Sequence, residues 1–302
     1  MRGSLYIAVS ASLWGLWSLF FKSAERAAGA VPVSAQAEAA VVLAVMLLAL
    51  LPRAVRDQRS APRRSRAEWT RLAVVGALDG LNFWCFLLAM QRTTVAIAVL
   101  THYLAPLVIA LLAPIALREP WRLRTFAALA LALIGLALLL QPWAHPPSAQ
   151  DLSGAALGAA SALCYGTSVV IQKTLVMRFS AWELGAFSKP IALMVLLLAM
   201  PSTRDLALEP TPLAWLVAGG VLCGALPLVL FFMGLGLTTA SRAAVLTLCE
   251  PLVAVLVGAL VWREPLGPWS AVGATFMLAA AGWIARGERP VPALGPSALS
   301  VR

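Results

Sequence analysis

The chain contains two copies of one 28-residue segment, at residues 93–120 and 238–265, which align without a gap at a constant offset of 145 residues. Ten of the 28 aligned positions are identical: Thr93/Thr238, Thr94/Thr239, Ala98/Ala243, Pro106/Pro251, Leu107/Leu252, Val108/Val253, Leu111/Leu256, Arg118/Arg263, Glu119/Glu264 and Pro120/Pro265. Two unrelated apolar segments would not share so many. The repetition predicts a chain built from two copies of one structural unit.

The composition predicts that both copies lie in a lipid bilayer. Hydrophobic residues make up 61% of the 302 residues and charged residues only 12%, whereas about 25% charged residues is usual in a soluble domain. The net charge of +10 would suggest a nucleic-acid partner in a soluble protein. Here, however, the arginines occur in short runs between apolar segments, where they act as topology signals. We therefore expect an integral membrane protein that does not bind nucleic acid.

Ten apolar segments come close to the roughly 20 residues that a membrane-spanning helix needs. They cover residues 4–21, 33–51, 71–90, 95–117, 122–140, 153–172, 182–200, 212–234, 241–262 and 268–286. The first lacks a small-residue cleavage site, so we interpret it as a retained helix rather than a signal peptide. We expect Pro52 to end the second helix, and each Arg-Glu-Pro to place its proline and glutamate at the start of the following helix.

The distribution of Lys and Arg predicts the orientation in the membrane. When the connections alternate between two sides, seventeen basic residues fall on one side and five on the other, and Lys189 lies within a segment. Basic residues favour the cytoplasmic side. This predicts cytoplasmic termini, a cytoplasmic 53–71 connection and an external 142–153 connection.

The number of segments in each copy predicts how the two copies are related. Five is odd, so the second copy must enter the membrane from the opposite side. We expect an all-α integral membrane protein of ten transmembrane helices in two inverted repeats, 4–140 and 153–286, followed by a short tail at 287–302. Inverted repeats are typical of transporters that work by alternating access, with the substrate near the membrane midplane.

Several motifs resemble the EamA family of the drug/metabolite transporter superfamily. They are the two Arg-Glu-Pro sequences, Leu-Cys-Glu-Pro at 248–251, Leu-Trp-Gly at 13–15 and the five-plus-five arrangement of helices. The resemblance implies a ten-helix inner-membrane carrier, commonly an exporter of amino acids or other small metabolites. It also implies a central cavity formed mainly by helices 1, 3, 4, 6, 8 and 9. The second helix departs from the family, because it carries Glu38 where members often have a basic residue.

Polar or aromatic residues that occur inside the membrane in only one copy are candidates for a substrate site. A charged residue at the centre of a membrane helix costs about 2.5–3.5 kcal/mol on insertion scales and therefore needs a reason to be there. The predicted substrate-binding residues are Trp14, Trp17, Asp79, Asn82, His102, Tyr103, Tyr165, Thr247 and Glu250. Glu250 is the sharpest candidate, because its counterpart in the first copy is Ala105 and helical spacing places it on one face with Thr247.

Each of these residues also has a structural alternative. His102 can be a buried histidine bonded to a neighbouring helix, and Asp79 a structural hydrogen bonder. Helix 1 carries an aromatic stripe with Trp14 and Trp17, and helix 6 carries a related stripe of Ser161, Tyr165, Ser168 and Gln172, either of which can serve ordinary helix packing. For Lys189 the favoured roles are a structural ion pair or snorkelling toward the cytoplasmic side.

The sequence favours a secondary carrier over two other classes. It contains no Gly-rich phosphate loop, so transport would be driven by a gradient and needs no cofactor. A membrane enzyme acting on lipid would leave clustered acidic or histidine residues near one interface, and here such groups are dispersed. A non-transporting assembly or sensor protein would need no charge facing a cavity. The four cysteines Cys85, Cys164, Cys223 and Cys249 lack metal-type spacing and predict neither a disulfide nor a zinc site.

Overall fold

The computed structural model describes residues 2–29, 34–144, 148–199 and 209–286, which form helices and their connections with no strand in these ranges. The helices are α1 Arg2–Ala28, α2 Ala35–Ser60, α3 Arg66–Arg92, α4 Val95–Leu117, α5 Leu123–Leu140, α6 Ala149–Leu175, α7 Ala181–Ala199, α8 Pro210–Leu237, α9 Ala240–Val261 and α10 Ser270–Arg286. Within the described ranges, α1 to α9 are long and apolar enough to cross a membrane, whereas α10 has only 17 residues. The predicted tail at 287–302 lies outside the described residues.

Several helices are longer than the sequence predicts, because their first turns are capped. The third and sixth helices were expected to begin at residues 71 and 153 but begin at Arg66 and Ala149. The Ser65 side chain accepts from the backbone N–H of Glu68, and the Glu68 and Asp151 carboxylates accept from the backbone N–H groups of the caps Ser65 and Ser148. These reciprocal bonds satisfy N–H groups that would otherwise lack partners. The capping signal therefore extends both helices past the apolar segments.

Four helices are interrupted just before a proline. α4 breaks between His102 and Ala105 ahead of Pro106, and α9 breaks at Leu248 ahead of Pro251. α7 is interrupted at residue 188, and α8 contains a π-helical turn at 220–225. Proline lacks an N–H and its ring clashes with the carbonyl of the preceding turn, so helical bonding fails there.

Two expectations about prolines are wrong. Pro52 does not end the second helix, because α2 continues through it to Ser60. The prolines of the Arg-Glu-Pro sequences do not start the next helices, because α5 begins at Leu123 and α10 at Ser270. Arg118 and Arg263 both adopt a left-handed conformation with φ 56°. Arg118 ends α4, and at both residues the chain leaves the helical path.

The packing of the helices repeats when the two halves are exchanged. α1 packs on α8 and α9, as α6 packs on α3 and α4; α2 packs on α8, as α7 packs on α3. The pairs α2 with α7, α4 with α9 and α5 with α10 join equivalent helices. The duplication in the sequence is thus matched by a duplicated set of contacts.

The same correspondence holds for single residues. A Cβ atom on Gly15 would lie 2.6 Å from the Glu250 carbonyl oxygen of α9 and 2.6 Å from Val253 Cβ. A Cβ atom on Gly166 would lie 3.1 Å from the Ala105 carbonyl oxygen of α4 and 2.7 Å from Val108 Cγ1. The contacted positions are related by the 145-residue offset of the repeat. Each half therefore uses a glycine to bring a helix directly against the broken helix of the other half.

Candidate functional site

The break in α4 places His102 among side chains of α3 and α6. The His102 Nδ1 atom lies 2.8 Å from the Ser161 hydroxyl of α6. Its ring centroid is 4.7 Å from that of Phe86 on α3 and 5.8 Å from that of Tyr165 on α6. His102 is therefore bonded to a neighbouring helix and also forms part of an aromatic cluster.

Asn82 joins this arrangement through Ser161. The buried Ser161 hydroxyl donates a hydrogen bond to Asn82 Oδ1 at 2.7 Å. Because that hydroxyl proton goes to Asn82, Ser161 is left to accept from His102, which places a proton on His102 Nδ1. Asn82, Ser161 and His102 thus form one directed chain of hydrogen bonds across α3, α6 and α4.

Glu250 approaches the same cluster from the other half of the chain. The Tyr103 hydroxyl, at the break in α4, lies close to the carboxyl group of Glu250 in α9. Among the described residues, Glu250 forms no ion pair with Lys or Arg. The interrupted helices of the two halves therefore meet through a tyrosine and a carboxyl group rather than through a pair of opposite charges.

Three members of this cluster keep partial exposure. His102, Tyr165 and Glu250 are half-buried, whereas Asn82, Ser161 and Tyr103 are buried. His102 lies beside Tyr165, and Tyr165 lies near Glu250, so the three partly exposed groups are close together. Aromatic rings, a carboxyl group and an imidazole in one cluster can hold a small solute by stacking and hydrogen bonding.

Asp79 belongs to a second, fully buried polar group. Ser168 donates to Asp79 Oδ1 at 2.6 Å, and Lys189 Nζ lies 3.5 Å from Asp79 Oδ2. Gln172 donates to the Ser168 hydroxyl at 3.0 Å. Both oxygens of Asp79 therefore have protein partners, and Lys189 forms an ion pair rather than extending toward the membrane surface.

In the other half, aromatic packing occupies the positions that correspond to this polar group. Trp17, Phe21 and Gly224 correspond to Ser168, Gln172 and Asp79. The rings of Trp17 and Phe21 stack with centroids 4.9 Å apart, and a Cβ atom on Gly224 would lie 3.6 Å from the Trp17 ring. The two halves thus share a backbone plan but differ in the chemistry of their interiors.

The chain matches the EamA-like transporter family model twice, over residues 1–141 and 152–286. The chain belongs to the EamA-like transporter family. This family is part of the drug/metabolite transporter superfamily. The two matches coincide with the two halves and cover nearly every described residue.

Individual proteins agree with this assignment. The chain is 31% identical over 232 residues to an uncharacterized transporter of Archaeoglobus fulgidus, which covers 77% of this chain and 80% of that protein. It also resembles a crystal structure with a TM-score of 0.75 and 20% identity, over 94% of this chain and 98% of that one. The family and the archaeal relative identify a multi-pass membrane transporter; the crystal structure supports the fold alone.

Other predicted site residues of this EamA-like transporter make contacts outside the cluster. Trp14 packs on Phe231 of α8, with ring centroids 5.4 Å apart. The Thr247 hydroxyl donates to the Ala244 carbonyl oxygen of its own helix at 2.8 Å. The shared face of Thr247 and Glu250 stays a prediction; the break in α9 at Leu248 lies between these two residues.

Two residues that contact the site were missing from the predicted set. Ser161 links His102 to Asn82, and Phe86 packs on His102. A sequence signal existed for both, since Ser161 precedes Tyr165 by one helical turn and Phe86 follows Asn82 by one turn.

Other features of the EamA-like fold lie apart from this cluster. A cavity of about 290 Å³ at the connection between α2 and α3 is lined by Gln58, Ala61, Pro62, Arg63, Arg64 and Trp69. Beside it, Arg64 forms a buried ion pair of 2.7 Å with Glu183 and joins this connection to the start of α7. No trio of His, Cys, Asp or Glu side chains able to hold a metal occurs in the ranges that the structure describes.

Proposed function

We propose that this EamA-like transporter is a secondary carrier that moves a small organic solute, such as an amino acid or a related metabolite, out of the cell. The observation that carries this proposal is the contact between Tyr103 and Glu250. It joins the breaks of two equivalent helices from opposite halves beside a partly exposed aromatic cluster. A solute bound there would touch both halves, so movement of one half against the other would change its access.

The mechanism we propose is alternating access by two inverted repeats. Five helices per half and the exchangeable helix contacts support an inverted relation, which requires α10 to cross the membrane as the tenth span. Two equivalent halves can adopt two equivalent arrangements, one open to each side. The solute site would then lie between α3, α4, α6 and α9.

Glu250 is proposed as the ionisable group of the transport cycle. A partly buried carboxylate inside the membrane is stabilised by a compensating charge, and a bound proton removes that need. The titratable groups that face it are Tyr103 and Tyr165, with His102 next to Tyr165. Glu250 would hold either a proton or a cationic group of the solute, which couples the two movements by exchange.

Counterflow in vesicles tests the proposed function directly. Purified protein would be reconstituted in lipid vesicles loaded with an unlabelled amino acid or amine, and uptake of the same labelled compound would be measured. The candidate compounds would come from metabolites that leave cells overproducing the protein. We expect saturable uptake that empty vesicles lack. Uptake that rises linearly with concentration for every such compound would contradict a carrier.

The orientation gives a separate prediction. We expect cysteine at Ser148 to react with an impermeant maleimide added to intact cells, and cysteine at Ser60 to react only after the membrane is opened. Both side chains are exposed in the structure, so a difference in labelling reports the side of the membrane. Because Ser148 caps α6, cysteine at Gln150, which is also exposed, serves as the matched position. The opposite labelling pattern would overturn the cytoplasmic placement of the termini.

A further inference from the structure

The two Arg-Glu-Pro sequences make different contacts although they are identical in sequence. The carboxylate of Glu119, at the end of α4, accepts hydrogen bonds from Ala240 N at 2.6 Å, Ser241 N at 3.2 Å and Ser241 Oγ at 2.8 Å. These groups form the first turn of α9, where free N–H groups and the helix dipole favour an anion. Glu119 therefore fastens the end of α4 to the start of a helix in the other half.

Glu264, its counterpart, does not reach the equivalent turn. It forms an ion pair with Lys22 at the end of α1, and half of its side chain is exposed. The start of α4 is contacted instead by Asp151, which accepts a hydrogen bond from the Thr93 hydroxyl. Glu119 thus binds the first turn of a helix in the opposite half, whereas Glu264 contacts the opposite half through Lys22 and not through the first turn of α4.

Gly258 leaves space for the Glu264 carboxylate in this position. A Cβ atom on Gly258 would lie 2.5 Å from Glu264 Oε2, so the carboxylate occupies space that a larger residue would fill. The residue that corresponds to Gly258 in the first half is the buried Ala113. Arg118 and Arg263 share the same φ of 56°, so the chain turns in the same way before both glutamates.

Lys22 and Lys173, which occupy corresponding positions in the two halves, also differ in their contacts. Lys173, the counterpart of Lys22, donates to the carbonyl oxygens of Leu235 and Thr238 at 2.6 Å each. It thereby ties α6 to the end of α8, next to Glu119. Lys22 makes no such bond to α3 among the described contacts and pairs with Glu264 instead. On one side of the protein each charged group binds backbone groups at a helix end. On the other side the two charged groups pair with each other, and Lys22 also lies over the Trp262 ring.

We propose that Glu119 and Glu264 are the two gate residues of the transport cycle. Each carboxylate binds the first turn of the opposite half's helix, α9 or α4, when its own side is closed, and leaves that turn when its side opens. In the present structure the Glu119 side, predicted to be cytoplasmic, is closed, and the Glu264 side is open. When the external side closes, the Glu264 carboxylate binds the first turn of α4 at Val95. Lys22 then loses its partner Glu264 and binds the end of α3.

Distances between spin labels on each side test the gates without any substrate. Exposed positions on each side are available in the pairs Leu123 with Leu237 and Leu266 with Arg92. Labels would be placed in a variant whose four native cysteines are replaced by alanine, in lipid nanodiscs. We expect Glu119→Gln to increase the population with a long distance between positions 123 and 237 by about tenfold, because charged hydrogen bonds are lost. We expect Glu264→Gln to remove the short distance between positions 266 and 92.

Gly258→Ala gives the more selective test. A methyl group there displaces the Glu264 carboxylate toward α4, so we expect it to increase the short distance between positions 266 and 92. Glu264→Gln in the same chain should abolish that increase. Gly282→Ala is the matched control, because a Cβ atom there would meet open space.

Two results would contradict the proposed gating role of Glu119 and Glu264. One is a Glu119→Gln variant with unchanged distances; the other is a Gly258→Ala effect that persists without the Glu264 carboxylate. These measurements are independent of counterflow, so failure of the gates and failure of the proposed function are distinguishable.

Discussion

Replacing Glu250 by glutamine is expected to abolish net, pH-dependent transport while leaving the protein folded. Glutamine keeps the shape of the side chain and its capacity to hydrogen-bond beside Tyr103, but it cannot bind and release a proton. The variant should therefore lose coupling between proton and solute and retain at most exchange of solute for solute. We expect net uptake driven by a pH gradient to fall at least about a hundredfold, since the coupling step needs an ionisable group.

The controls separate loss of charge from loss of fold. Glu25→Gln makes the same chemical change at an exposed position of α1 and should retain the wild-type rate. Monodisperse elution and an unchanged Tm would show that the Glu250→Gln variant is folded. If this variant transports at the wild-type rate with the wild-type pH profile, Glu250 has a structural role only.

Replacing Lys189 by methionine is expected to reduce stability strongly. Lys189 and Asp79 are both almost completely buried and form an ion pair of 3.5 Å. Removing one member of a buried pair leaves an uncompensated charge, which costs about 3–5 kcal/mol. We expect a sharp fall in folded yield and in Tm, with substrate affinity per folded molecule unchanged.

The double variant Asp79→Asn with Lys189→Met should recover much of the loss. It removes both charges, and the introduced asparagine can still accept the hydrogen bond that Ser168 donates to Asp79. Arg53→Met is the matched control, because Arg53 forms an exposed ion pair with Asp57, and such pairs contribute about 0–1 kcal/mol. Normal yield with weaker substrate binding in Lys189→Met would instead place the pair in the substrate site.

Local features of the chain determined much of the architecture. Apolar segments of suitable length predicted the membrane helices, and the repeated segment predicted two matching halves, each now covered by its own family match. The prolines at 106 and 251 act on the turn that precedes them, so the breaks in α4 and α9 follow from adjacent residues. Glu250 could be singled out because the repeat supplies its own comparison at Ala105.

Contacts between distant residues were decided by the tertiary structure. Glu119 was expected to start the next helix, yet it binds α9, whose first turn is 121 residues further along. Lys189 finds Asp79 across 110 residues, and Tyr103 finds Glu250 across the two halves. Composition and periodicity describe how one helix meets its surroundings. Which helices become neighbours depends on how ten helices pack at once, and that determines which polar groups meet.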